Sequence, residues 1–176
     1  MITGEQFAEQ AKSSKYDGIT YDRYDCQGFV ELVLRDCGVR TDTGAVYNWR
    51  GSNHMWRNAL AWKGTLEDCQ KYFGRIPVGA WVFMLSDDGG EATRGYHDNE
   101  GNAVHVGIYC RPESPQSVRD STKGTRRNGV GYRPLSDFNM VGLPFMVNYD
   151  QKQTAVITKE KALEALEVLT NFVKGC

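Results

Sequence analysis

The chain lacks an excess of either charge: 21 basic residues stand against 22 acidic ones in 176. Proteins that bind nucleic acid or other polyanions non-specifically carry a basic surplus to neutralise phosphates, so no nucleic-acid partner is expected. The densest positive cluster, Lys123, Arg126 and Arg127, is short and mixed with Gly and Asn, and reads as a solvated loop. No apolar run approaches the roughly 20 residues of a membrane helix, so no membrane partner is expected either. The opening Met1-Ile2-Thr3-Gly4-Glu5-Gln6 has neither the basic nor the apolar region of a signal peptide, which predicts synthesis in the cytoplasm. Five cysteines (Cys26, Cys37, Cys69, Cys110 and Cys176) contain no C-x-x-C pair, and the three histidines do not flank them at zinc spacing. Neither a disulfide framework nor a metal site is expected, and no cofactor. Most of the thiols should be reduced and buried as small hydrophobes.

What is present suits one globular domain: 40% hydrophobic and 24% charged residues. Residues 3–14 read as a helix capped by Thr3, and 15–24 as a Tyr-, Asp- and Gly-rich loop. From Cys26 to Cys37, the residues Phe29, Val30, Val33, Leu34 and Cys37 recur at helical spacing, with Leu32 off the stripe. Asp25 is the cap and Gly38 the stop. Farther on, a helix led by Ser52 or Asn53 is expected through Met55, Trp56 and Leu60, and another over Leu66–Phe73 capped by Thr65. Trp49, Trp56 and Trp62 fall in this stretch, as packing residues or as the lining of a cleft. After Pro77 the pattern turns to strands: 80–85, 103–110, 117–121, 129–133 and 143–149, with a long polar loop at 86–102. Helices followed by antiparallel strands make an α+β domain over 1–150. Residues 151–176 read as a linker and an amphipathic helix at 158–174, a surface for docking, self-association or a partner.

A nucleophilic cysteine requires thiolate character, exposure and a base within reach. Cys26 sits in the first turn of its helix, where unsatisfied N–H groups and the positive dipole end favour an anion and can bind an oxyanion. Cys37, Cys69 and Cys110 lie in apolar segments and read as packing residues. His105 stands in an apolar strand, a rigid element suited to a base, whereas His54 and His97 read as surface residues or substrate contacts. The imidazole needs an orienting acceptor. Asp120 in the next strand can lie beside His105 if the two strands are antiparallel, whereas Ser121 should point to the opposite face.

These residues match a family pattern. Tyr24-Asp25-Cys26-Gln27-Gly28-Phe29-Val30 resembles the Asp-Cys-Ser-Gly-Phe-Val signature of the NlpC family, papain-like cysteine peptidases of peptidoglycan. Ile76-Pro77-Val78-Gly79-Ala80-Trp81-Val82-Phe83 is similar to its Pro-Gly-Asp-Leu-Val-Phe strand, and Val104-His105-Val106-Gly107-Ile108-Tyr109 to its His-Val-Gly-Ile-Tyr strand. The resemblance spans roughly residues 15–150. It implies a papain-like fold with the nucleophile helix packed on a central antiparallel sheet. It also implies Cys26 as nucleophile and oxyanion donor, His105 as base, and a polar third residue, here Asp120. Tyr21 and Tyr24 are the implied substrate contacts, with Asp25 and Gln27 beside the nucleophile. Gln27 stands where the family has Ser, and Ala80 where it has Asp. The implied substrate is the stem peptide of peptidoglycan, often at the bond after D-glutamate. With no export signal in view, a phage lysin or virion-associated hydrolase is the expected setting. A cytosolic amidase or acyltransferase on small γ-glutamyl peptides, and a non-catalytic wall-binding or virion protein, remain alternatives.

Overall fold

Thr3 caps the first helix as its sequence predicts. Its hydroxyl accepts from the Gln6 N–H at 3.2 Å, and the Gln6 side chain accepts from the Thr3 N–H at 2.9 Å, a reciprocal cap. In the computed structural model, which describes residues 1–86, 96, 98–125 and 127–149, strand β1 (Ile2–Thr3) leads into helix α1 (Gly4–Ala11). The helix ends short of the predicted residue 14, and a 3-10 turn at Ser14–Tyr16 leads into the segment read as loop.

Helix α2 (Cys26–Asp36) begins where Asp25 accepts from the Gly28 N–H at 2.7 Å. Its stripe of Phe29, Val30, Val33 and Leu34 is buried to 1% exposure or less, and each such side chain contributes about 1.5–3 kcal/mol. Leu32, expected off that stripe, is buried as well. The chain folds back over this flank of α2: Glu31 accepts from the Trp49 N–H, and Gln27 donates to the Trp49 carbonyl.

Helix α3 (Ser52–Asn58) is shorter than its pattern predicts, and neither Ser52 nor Asn53 caps it. Both side chains reach instead to the backbone of Ala103: Ser52 donates to its carbonyl, and Asn53 accepts from its N–H at 2.8 Å. Leu60, expected in the helix, opens strand β2 (Leu60–Thr65), which pairs with a strand some eighty residues later. Local propensity yields here to tertiary pairing. Helix α4 (Leu66–Phe73) keeps its predicted bounds, because Thr65 and Asp68 cap each other reciprocally.

Strands β3 (Trp81–Ser86), β4 (Asn102–Tyr109), β5 (Val118–Lys123), β6 (Asn128–Arg133) and β7 (Met140–Pro144) complete a six-stranded antiparallel sheet of order β2-β7-β3-β4-β5-β6. The stretch 143–149 is not one strand. A turn after Pro144 separates β7 from β8 (Val147–Asn148), which pairs in parallel with β1. Period-two alternation then divides the core. Trp81, Phe83, Val106 and Ile108 pack towards α1, α2 and α3, while Val82, Tyr109, Val118 and Val141 pack with Cys69, Ile76 and Phe138 on the other face. The architecture is α+β.

Trp49 and Trp56 are packing residues, edge-on to Trp81 and Phe83 at 5.4 and 5.2 Å between ring centroids. Trp62 lies apart from them, half-buried beside Tyr72 and Phe73. Among the described residues no helix is long and apolar enough to cross a membrane. Most of the predicted 86–102 loop, together with His97, Arg126 and the 151–176 segment with its expected helix, lies outside the described residues.

Candidate active site

Three elements converge on one histidine. Cys26 is the first residue of α2, His105 lies in β4 and Asp120 in β5. The antiparallel register sets Ile108 opposite Arg119 and Tyr109 opposite Val118. By alternation, His105, Gly107 and Asp120 therefore share one side of the sheet. Gly107 is what lets them meet: a Cβ there would lie 2.6 Å from Val118 Cγ1 and 3.2 Å from Asp120 Cβ. Without it, Asp120 settles close enough for its Oδ2 to stand 2.6 Å from His105 Nε2. Nδ1 is the ring nitrogen left for Cys26, whose thiol acts on the charge of the imidazole.

The exposure expected of the nucleophile is not found, since the site is nearly closed to water: Cys26 is 6% exposed, His105 8% and Asp120 0%. Burial by itself pulls the His105 imidazole down. The hydrogen bond with Asp120 and the charges of Asp120 and Cys26 outweigh it, pushing His105 up to about 9. The ring thus holds its proton at neutral pH. Phe138 stacks on it at 6.0 Å, fixing the ring plane. At the helix start, Asp25 takes the Gly28 N–H, while helical geometry gives the Cys26 and Gln27 N–H groups no intrahelical acceptor. The arrangement can therefore present a sulfur nucleophile, a proton carrier and free amide donors around one reacting carbonyl.

The other thiols sit in different surroundings. Burial pushes Cys69 and Cys110 up to about 12 and Cys37 up to about 11, in keeping with packing roles. Cys176 lies outside the described residues. Among the described residues no cluster of His, Cys, Asp or Glu is placed to hold a metal.

The expected substrate contacts divide. Asp25 is occupied as the helix cap, and the Gln27 amide bonds Glu31 at 2.7 Å and the Trp49 carbonyl. Gln27 therefore ties the 46–49 segment to α2. Tyr24 lines a groove of about 220 Å³ along α2 with Gly28, Glu31, Leu32 and Tyr47. Tyr21 is half-buried in the turn just before. His54 stands on α3, which packs on β4 through Ser52 and Asn53, and among the described residues it forms no hydrogen bond with Cys26, His105 or Asp120.

Ser121 does point to the opposite face from Asp120, and there it acts on the site from behind. Its hydroxyl donates to the Tyr24 carbonyl at 2.6 Å, holding the approach to Cys26 against β5. Sequence reasoning missed Arg127 and Arg133, which both reach Asp120. Arg127 was read with the solvated basic cluster. It is instead half-buried on a carboxylate, because the turn into β6 carries it back over the sheet. Comparison with protein-family models, with curated proteins and with solved structures finds no match to this chain.

Proposed function

We propose that the chain is a papain-like cysteine hydrolase that cleaves amide bonds in the stem peptides of peptidoglycan, at the bond following D-glutamate. The observation that carries the chemistry is the chain of contacts from Cys26 to His105 to Asp120 at the head of α2. The substrate class rests on the resemblance of the Cys26, Ala80 and His105 segments to the NlpC pattern.

The reaction divides into two acyl transfers. Cys26 Sγ attacks the scissile carbonyl carbon, and the oxygen takes up the electron pair beside the free first-turn N–H groups. As the intermediate collapses, the C–N bond breaks and His105 gives its proton to the departing amine. A thioester on Cys26 remains. His105, now neutral, takes a proton from water as the water oxygen attacks the thioester. The C–S bond breaks, releasing a carboxylic acid that gives its proton to solvent and restoring the thiolate beside the imidazolium. Asp120 holds the ring through Nε2 in both halves. None of these steps requires a metal or an organic cofactor.

Digestion of purified peptidoglycan with wild type and Cys26→Ala, with mass spectrometry of the soluble products, tests this reading. Fragments released by wild type alone, carrying a new D-glutamate carboxyl end, are the expected result. Equal release by both proteins, or none by either from walls of several chemotypes, would overturn it.

A further inference from the structure

Asp120 has more cations around it than a histidine-orienting carboxylate requires. His105 approaches Oδ2 from β4. Arg127 Nη2 donates to Oδ1, and Arg133 Nη1 lies 3.5 Å from Oδ2. Arg133 is shared: its Nε bonds Asp137 at 3.0 Å, so much of its charge is already matched. Arg127 has no second carboxylate among its described partners. Its Nη1 donates to the Tyr132 carbonyl at 3.1 Å, bracing the guanidinium against β6 while the other arm reaches Asp120. From α2 the nearest ionisable group is Cys26, on the far side of His105, and Phe138 presents only its ring.

The route Arg127 takes is built into the sheet. Gly131 is the register partner of Asp120 on β6. A Cβ at Gly131 would collide with the Arg127 guanidinium and lie 2.6 Å from its Cδ. Asp120 is thus bordered by Gly107 on one side and Gly131 on the other. One gap admits His105 and the other admits Arg127.

We propose that Arg127 is a positioning residue for this site, holding Asp120 Oδ1 so that Oδ2 is the oxygen presented to His105. This rests on reading Cys26, His105 and Asp120 as the reacting groups. Two consequences follow from the geometry. Arg127 stops the carboxylate rotating, since both oxygens are engaged from opposite strands. It also draws off part of the carboxylate charge, so it limits how tightly His105 keeps its proton. A brace that served only the fold would do neither.

The test is an NMR titration of the His105 imidazole, assigned with His54→Gln and His97→Gln, in wild type, Arg127→Gln, Gly131→Ala and Asp120→Asn. Gly131→Ala displaces the guanidinium without removing a charge from the chain, and it stands in if Arg127→Gln does not fold. Either change should shift the His105 midpoint by about half a unit, upward where the lost cation dominates and downward where the released carboxylate turns from the ring, and Asp120→Asn should lower it by about one unit. Arg127→Lys, which keeps the charge, should bring the midpoint back towards wild type. A midpoint unmoved by both Arg127→Gln and Gly131→Ala, while Asp120→Asn still lowers it, would overturn the role of Arg127 and leave the site intact. No response to Asp120→Asn would break the Asp120–His105 link itself, and the functional reading with it.

Discussion

Arg119 and Asp120 are consecutive residues of β5, both charged and both almost wholly buried, at 1% and 0% exposure, but they face opposite sides of the sheet. Arg119 points towards the N-terminal segment. There it donates to the Ser13 carbonyl and the Tyr132 hydroxyl, each at 3.2 Å, pairs with Asp17, and packs against the rings of Tyr16 and Tyr132. Asp120 points to the side where His105 and two arginines meet it. Burial of a charge does not by itself mark a reacting site. The difference lies in the partners: Arg119 holds a backbone carbonyl, a hydroxyl and a largely exposed carboxylate, whereas Asp120 holds an imidazole whose protonation also answers to Cys26. One side of the strand secures the fold and the other carries the proposed site.

The comparison is broken most forcefully at Arg119. Arg119→Ala leaves a carbonyl and a hydroxyl without their donor and opens a void, and is expected to lower stability by about 3 kcal/mol in urea denaturation. The protein that remains folded should keep the wild-type pH profile. A changed alkaline limb would mean that both sides of β5 serve the reaction.

At Asp120 the expectation reverses. Asp120→Asn should reduce kcat/KM on wall fragments by about 100-fold and move the alkaline limb of the pH profile down from about 9. The same variant bears on stability. The His105 value in the folded protein lies above its ordinary 6.5, so the folded state binds the extra proton between the two values. The stability this contributes is full below pH 6.5 and is lost as pH rises through about 9, on the order of 3 kcal/mol in all. Thermal melts across this range should slope downward for wild type and flatten in Asp120→Asn.

A smaller effect sharpens the picture at the gap between the strands. Gly107→Ala places a Cβ against Val118 and Asp120. It should cost about 1–2 kcal/mol in chemical denaturation and reduce activity about tenfold, because Asp120 is pushed from His105. An unchanged rate would show that the approach of β4 to β5 does not set the hydrogen bond.

What was legible in the sequence was local. Helix α2 could be read because its cap, its stripe and its stop all lie within fourteen residues. Helix α4 could be read because its cap, Thr65, stands directly before it. His105 and Asp120 could be paired because two consecutive strands of opposite direction bring alternate residues together. Strand β2 was not legible, since Leu60–Thr65 becomes a strand by pairing with β7, far along the chain. The same holds for Ser52 and Asn53, whose side chains look like caps but reach to Ala103. Arg127 was hidden for a related reason: beside Arg126 and Lys123 it looks like surface charge, and only Gly131, four residues on and without a side chain, opens its way to Asp120.

The central claim, that Cys26 is a nucleophile made ready by His105, is tested most directly by limiting iodoacetamide near neutral pH followed by peptide mapping. Cys26 should be alkylated well ahead of Cys37, Cys69 and Cys110, and His105→Ala should slow it at least tenfold. Alkylation of Cys26 no faster than Cys37, Cys69 or Cys110, or a rate indifferent to His105→Ala, would contradict the account.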